Sequence, residues 1–300
     1  MLEIRNDTPI ASMTPEVTNI QPLRGEHEAE VIDFLSAHPL FTFAMTGFIK
    51  DNGLESELNR GSFYASRNLR GEVDGVALIG HVTLFETNSD VVLSAFANLT
   101  RKRSDAFIVM GEERRMDRFM NYYALKPQEA QRSCRELLFA QRSRQACDSP
   151  VPSLRRAMVD EVDLVVPVHA QMAFEQSGVN PLDVDAEGFR ERCARRIQQG
   201  RVWVCVEGGK LLFKADVISD LPEVNYLEGV YVTPENRGRG FGSLCMRQLT
   251  NVLLSHTKSV CLLTEEDETV AQACYTKAGY KLREHYRTVF LQQDAKELTN

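Results

Sequence analysis

Hydrophobic positions along the chain follow two periods, and the switches between them mark the expected elements. Tyr226–Val232 is rich in aromatic and β-branched residues and is closed by Pro234, which predicts a strand. Leu244, Cys245, Leu249, Val252 and Leu253 then recur at helical spacing, so a helix follows. Toward the N-terminus, Val31, Ile32 and Leu35 predict a short amphipathic helix stopped near His38–Pro39, and Leu40–Ile49 is a second apolar segment of helical character. Phe63–Ser66, Gly75–Phe85, Val91–Leu99 and Ala106–Met110 read as strands, with Gly75–Phe85 apolar enough to be central. Arg114–Tyr123 reads as a helix.

The polar segment Gln141–Pro152 interrupts this pattern, and a similar order then restarts. Leu154–Met158 is a short strand. Asp160 is a candidate N-cap for a helix bearing Leu164, Val165, Val168, Met172 and Phe174, with Pro167 bending or delaying it. Glu175–Val184 reads as a loop, and Phe189, Cys193 and Ile197 mark a helix ended at Gly200. Val202–Val206 and Leu211–Ile218 form a hairpin, Ser259–Thr264 a buried strand, and Thr269–Ala278 a helix closed by Gly279. Tyr280–Arg283 and Tyr286–Leu291 are two last strands. The expected division is a tail or leading strand at 1–22, a domain at 23–140, a linker at 141–152 and a second domain at 153–300.

Composition narrows the setting. Hydrophobic and charged contents of 43% and 26% suit a soluble globular protein of 300 residues. No apolar run approaches the roughly 20 residues of a membrane span, so no membrane partner is expected. Met1–Pro9 lacks the layout of a signal peptide, and the seven cysteines form no Cys-x-x-Cys pair. Cys205, Cys245, Cys261 and Cys274 sit in apolar patterns and read as small core residues, as expected in a reducing cytoplasm. The net charge of −7 is spread over both halves, which disfavours nucleic acid and suits a cationic substrate. The clusters Arg101–Arg103 and Arg114–Arg115 read as a solvated loop and helix face, because acidic residues interleave. His169, His256 and His285 share no metal-like spacing with Cys or acidic residues.

The distinctive chemistry lies between the strand ending at Val232 and the helix beginning near Leu244. Arg237-Gly238-Arg239-Gly240-Phe241-Gly242-Ser243 places three glycines and two arginines at a helix N-terminus, where unpaired N–H groups and the positive dipole end attract phosphate. The glycines let a pyrophosphate approach, and the arginines add mobile positive charge. A P-loop is excluded because no lysine follows Gly242. The G-x-G-x-G spacing departs from the dinucleotide fingerprint, and neither His-Arg-Asp nor Asp-Phe-Gly occurs.

Arg237, Gly240 and Gly242 do match Arg-x-x-Gly-x-Gly after a Val-x-Pro-Glu-x-Arg-Gly strand end, which resembles the acyl-CoA signature of the GNAT superfamily of N-acetyltransferases. Ala271–Tyr280, Ala-x-x-x-Tyr-x-Lys-x-Gly-Tyr, resembles the second signature of that superfamily. Together with the preceding β-rich region the two cover about residues 153–292. The first half is similar, more loosely, to a degenerate GNAT-like domain lacking the glycine loop. The resemblance implies an α/β (α+β) chain of two GNAT-like domains, each a mixed, mostly antiparallel sheet flanked by helices, the second with a splayed-strand acyl-CoA site. It implies acetyl-CoA as cofactor and a small-molecule amine or protein amine as acceptor, acetylated by direct attack in a ternary complex. The loop between the two helices that open the second domain would cover the acceptor.

By the same resemblance, backbone groups of Val230 and Val232, with Tyr231 between them, pair with the pantetheine arm, and Arg237–Ser243 takes the pyrophosphate. Tyr275 would donate to the departing sulphur, a position it would also suit as a core aromatic. Strand alternation puts Tyr226, Glu228, Val230 and Val232 on one face, where a partly desolvated Glu228 carboxylate could accept the ammonium proton. The acidic turn Glu265–Glu268 offers either a collector of cations or a solvated turn. Glu268 stands where the family often places an asparagine on the cofactor arm. The alternative reading is a non-catalytic acyl-CoA sensor or scaffold protein.

Overall fold

Backbone pairing joins the two halves more closely than their sequence order suggests. The computed structural model describes residues 19–123, 130–147 and 149–291. The expected tail therefore lies outside the described residues up to residue 18, and Asn19–Pro22 form the leading strand β1. In the first half follow helices α1 (Glu28–Ser36) and α2 (Pro39–Asn52), then strands β2 (Gly61–Arg67), β3 (Val73–Gly80) and β4 (Val82–Thr87). Helix α3 (Asp90–Arg101), β5 (Ile108–Glu112), α4 (Glu113–Tyr123) and β6 (Ala130–Gln141) complete it. The second half repeats that order: β7 (Leu154–Arg156), α5 (Val162–Ser177), α6 (Pro181–Gln198), β8 (Val202–Glu207), β9 (Lys210–Asp220) and β10 (Asn225–Val232). It closes with α7 (Phe241–Leu253), β11 (Val260–Glu265), α8 (Thr269–Ala278) and β12 (Lys281–Leu291).

All of these strands form one 12-stranded sheet in the order β1-β2-β3-β4-β5-β12-β6-β11-β10-β9-β8-β7. Each half thus lends its last strand to the other. β12 lies between β5 and β6, and β6 lies between β12 and β11, antiparallel on both sides. Leu137 and Phe139 of β6 enter the core beneath α7 and α8, while Leu138 and Ala140 face Phe43 of α2 and Tyr226. The sequence reading places no strand there, because a segment buried on both faces shows a short apolar run rather than alternation.

Several expectations change. Val91–Leu99 is part of α3, not a strand: Ser89 caps the helix, its Oγ accepting the Val92 N–H at 3.4 Å, and Val92, Leu93, Phe96 and Ala97 bury one helical face. Gly75–Phe85 divides into β3 and β4 at His81, since Gly80 packs so tightly on Gly61 that a Cβ would lie 2.4 Å from the Gly61 Cα. The loop expected at Glu175–Val184 is mostly helical, open at 178–180 and broken again at Asp185, whose backbone (φ −156°, ψ 79°) kinks α6. Gly178 ends α5 in the left-handed region at φ +74°, and Asn180 caps α6 ahead of Pro181. Asp160 does not cap α5; Glu161 takes that position after a 3-10 turn, accepting the Met158 N–H at 2.8 Å and pairing with Arg155. The two last strands are one, β12, with a bulge between Leu282 and Glu284. Cys205, Cys245 and Cys261 are buried, whereas Cys274 is half-buried.

Because each sheet half needs the other's strand, the chain should unfold in one thermal transition with equal calorimetric and van't Hoff enthalpies. Residues 153–291 expressed alone should show no near-ultraviolet circular dichroism, having lost the strand between β11 and β12.

Candidate functional site

β10 and β11 run parallel but pair only at Asn225–Val260, Tyr226–Cys261 and Leu227–Leu262. Beyond Leu227 they part, and β11 continues against β6 as far as Glu265. On its other side β10 departs from regular pairing: Glu228 lies opposite Asp216 and Tyr231 opposite Lys214, so one extra residue is accommodated as a bulge. Gly229 makes this possible at φ +60°, a conformation that costs side-chain-bearing residues far more. The result is a fork whose β10 edge has no strand partner. The Thr233 N–H meets the Leu212 carbonyl across β9 at 3.0 Å, so by alternation the Val232 N–H points away from β9 into the fork.

The bulges also redistribute the side chains. Tyr226 packs with Phe43 on the face covered by α2, whereas Leu227, Val230 and Val232 join the core under α7 and α8. The expected single face of Tyr226, Glu228, Val230 and Val232 is therefore split, because an added residue reverses the alternation after Gly229. Glu228 remains with Tyr226, opening toward α5 and α6.

At the far end of β10, Pro234–Asn236 form a 3-10 turn and Gly238 and Gly240 adopt φ of +73° and +83°. Gly240 occupies the N-cap of α7 and no side chain caps that end, so its first N–H groups face outward unsatisfied. Ser243 Oγ donates to the Gly240 carbonyl at 2.9 Å, bracing the turn. Gly242 sits between β10 and α8; a Cβ there would meet Val232 Cγ2 at 3.0 Å and Cys274 Sγ at 3.3 Å. Arg237 folds back: its Nε donates to the Val232 carbonyl at 2.8 Å and its guanidinium lies 5.9 Å from the Tyr231 ring centroid. Arg239 is exposed, and Phe241 packs against the core. Lys277 of α8, unassigned from sequence, brings its ammonium to the same mouth, 3.3 Å from where a Gly240 Cβ would lie. The first half has a matching parallel pair, β4 and β5, joined only at Val82–Ile108 and Thr83–Val109. There the buried Glu86 is held by Arg115 and His38, and Ser89 caps the following helix, so that mouth is occupied by the protein itself.

The titratable groups stand on opposite faces of the sheet. Tyr275 is buried between Phe139 and Tyr280, with ring centroids 6.3 and 6.2 Å away, and burial pushes its phenol up, aided by Cys274 and Glu268. The Tyr280 hydroxyl is paired with Thr250 at 2.6 Å, whereas no hydrogen bond among the described residues involves the Tyr275 hydroxyl, which burial keeps protonated. Glu228, on the other face, is reached by solvent yet walled by protein. Loss of bulk water raises its carboxyl, a shift that cleft water tempers and Tyr226, Arg196 and Lys214 oppose. Glu268 is exposed at the N-cap of α8 without capping it through its side chain.

Two residues of this face come from β6 and escaped the sequence reading. Glu136 lies opposite Glu265, is 8% exposed and accepts a hydrogen bond from Thr288. Burial, with Glu228 and Glu265 nearby, moves its carboxyl up to about 7. Arg132 donates to both Glu265 oxygens at 2.8 Å and to the Gln176 carbonyl at the end of α5. Thus the acidic turn is partly neutralised. His169 is neutral, driven down to about 3 by burial and Lys214, while His285 is exposed. Among the described residues no cluster of His, Cys, Asp or Glu could hold a metal ion, and no helix is long and apolar enough to cross a membrane.

Comparison with known proteins agrees with this geometry. A family profile described as FR47-like protein matches residues 215–289, from β9 through the fork to β12. No match arises among curated protein sequences. A Drosophila protein of known structure is 12% identical at a TM-score of 0.62, covering 92% of this chain and 99% of that one. A GNAT-family acetyltransferase from Colwellia psychrerythraea is 13% identical at 0.57, covering 91% and 100%. A tandem GNAT protein from the clavulanic acid biosynthesis pathway is 12% identical at 0.57, covering 92% and 99%. At these identities the likeness establishes the fold.

Glu136 provides a stability test. Its raised carboxyl favours the folded state below its ordinary range near pH 4.5 and loses that advantage as pH rises through about 7. Replacing Glu136 with Gln, which can still accept from Thr288, should therefore stabilise the protein at pH 8 relative to wild type by up to roughly 3 kcal/mol and leave pH 4 stability similar. Thermal melts of both proteins between pH 4 and 8 measure this.

Proposed function

We propose that this chain, built on the tandem GNAT fold with an FR47-like second half, transfers an acetyl group from acetyl-CoA to a primary amine in a ternary complex. One observation carries the reading: a fork in a parallel strand pair leads straight to an uncapped helix mouth framed by Gly238 and Gly240. A thioester with a long amide-bearing arm and a pyrophosphate fits both parts together. The Val230 and Val232 backbone would pair with the pantetheine arm, with Tyr231 lining it. Of the loop Arg237–Ser243, the N–H groups from Gly238 onward, helped by Arg239 and Lys277, would hold the pyrophosphate, since the Arg237 N–H is taken by the Pro234 carbonyl at 3.2 Å. Arg237 contributes mainly by fixing the strand end.

The amine, on a small molecule or a protein, would enter from the face of Glu228. Its nitrogen forms the new C–N bond to the thioester carbon while Glu228 takes its proton, directly or through water. Negative charge gathers on the carbonyl oxygen at the fork, where backbone N–H groups stabilise it. The C–S bond then breaks, and the Tyr275 hydroxyl donates to the departing thiolate from the opposite face. A base on one face and an acid on the other keep the two proton transfers apart. Acidic residues around the cleft suit an ammonium acceptor, and Glu268 lies too exposed to grip the cofactor arm strongly.

Calorimetry with CoA and thiol release from acetyl-CoA with a panel of amines test the reading. Wild type should bind CoA and release thiol only when an accepted amine is present. Gly240→Val, strained at positive φ and blocking the mouth, should weaken CoA binding roughly 30-fold, equivalent to about 2 kcal/mol. Failure to bind CoA, or indifference to this change, would end the proposal; binding without turnover would make the chain a sensor. Tyr275→Phe should lower kcat roughly 10- to 100-fold with CoA affinity retained. Glu228→Gln should erase the acidic limb of the kcat/KM profile, since only the ionised carboxylate accepts a proton; a surviving limb assigns the base elsewhere.

A further inference from the structure

Under α5 and α6, β9 buries two charged side chains, Lys214 at 0% and Asp216 at 1% exposure. Withdrawing an ammonium from water costs several kcal/mol unless partners replace the lost hydration, and apolar side chains would fill this space at less cost. The partners of Lys214 are specific. Its Nζ donates to Asp216 Oδ2 at 2.8 Å and to the Gly229 carbonyl at 3.3 Å. Asp216 is independently served by Arg196, whose Nη1 is 3.2 Å away, so neutralising that carboxylate does not require the lysine.

The second partner is the informative one. Gly229 is the residue at which β10 leaves the ladder of β9, and a Cβ on it would stand 2.8 Å from Lys214 Nζ. The ammonium occupies the space that any other residue's side chain would need. A bulge leaves a carbonyl without a strand partner, and Lys214 supplies one. The Gly229–Val230 peptide is planar and trans, so a carbonyl drawn toward Lys214 directs the Val230 N–H the opposite way, away from β9 and toward the fork. A cation on the carbonyl also draws electron density through the amide and makes that N–H a stronger donor.

We propose that Lys214 is a positioning residue for acyl transfer, orienting and polarising the Gly229–Val230 peptide so that the Val230 N–H receives the thioester oxygen. This rests on the acyltransferase reading and adds to it a source for the oxyanion-stabilising dipole. The lysine touches neither acceptor nor cofactor; it acts through one peptide group. No proton is exchanged, and the ammonium keeps its charge throughout.

The test uses the full chain, acetyl-CoA carrying a 13C carbonyl, Lys214→Met, and the charge-balanced pair Lys214→Met with Asp216→Asn. In wild type the carbonyl infrared band of bound acetyl-CoA should fall below its position in water, because a polarised N–H weakens the C=O bond. Both variants should bind CoA within about threefold of wild type, as the helix mouth is untouched, yet lose roughly 100-fold in kcat. In both, the bound carbonyl band should return toward its free position. A folded double variant with wild-type band and turnover would show that the lysine merely balances charge and would overturn the proposal. So would failure of both variants to fold, since the role would then be structural. If wild type itself bound no acetyl-CoA, the acyltransferase reading would fall first, which separates the two outcomes.

Discussion

Backbone polar groups inside a protein must find partners, and a parallel strand pair that parts after a few residues leaves a row of them without any. Much of the local architecture around the second half answers that constraint. The bulge at Gly229 turns β10 away from β9, Lys214 takes up the carbonyl this releases, and the opposite edge is left facing the fork. The mouth of α7 continues the same unsatisfied row through Gly240. In the first half the same geometry arises between β4 and β5, but Glu86, Arg115 and the Ser89 cap occupy the groups that would otherwise be offered. The contrast between halves lies in what fills the opening, since both possess one.

Strand exchange makes the first half part of the second half's site. β6 supplies the floor beside β11, carrying Glu136 and Arg132 to the face of Glu228, and Phe43 of α2 stacks on Tyr226 at 4.1 Å beside Glu228. Arg132 ties Glu265 to the end of α5 as well. The carboxylates of this face, Glu136, Glu228 and Glu265, thus come from both halves of the chain.

Sequence patterns exposed the features that depend on local spacing. The glycine loop, the α8 helix ended by Gly279 and the β8–β9 hairpin all follow from neighbours a few residues apart, and the structure has them. Val91–Leu99 misled because β-branched residues opening a helix resemble a strand, while the deciding cap, Ser89, lies just outside the run. Long-range pairing left no local mark. Glu136 looks like an ordinary polar residue until β12 and β11 flank it, and Lys214 within an apolar strand signals its role only when the Gly229 carbonyl arrives across the bulge. Alternation along β10 failed for a physical reason, since one extra residue turns every later side chain over.

The exchanged strands also set an order on biosynthesis. β12 fills the gap between β5 and β6, so the first sheet stays open along two unsatisfied edges until residue 291 has left the ribosome. The second half must therefore be synthesised through β12 before the sheet of the first half reaches final form. During that interval the bare edges of β5 and β6 are open to pairing with other nascent chains.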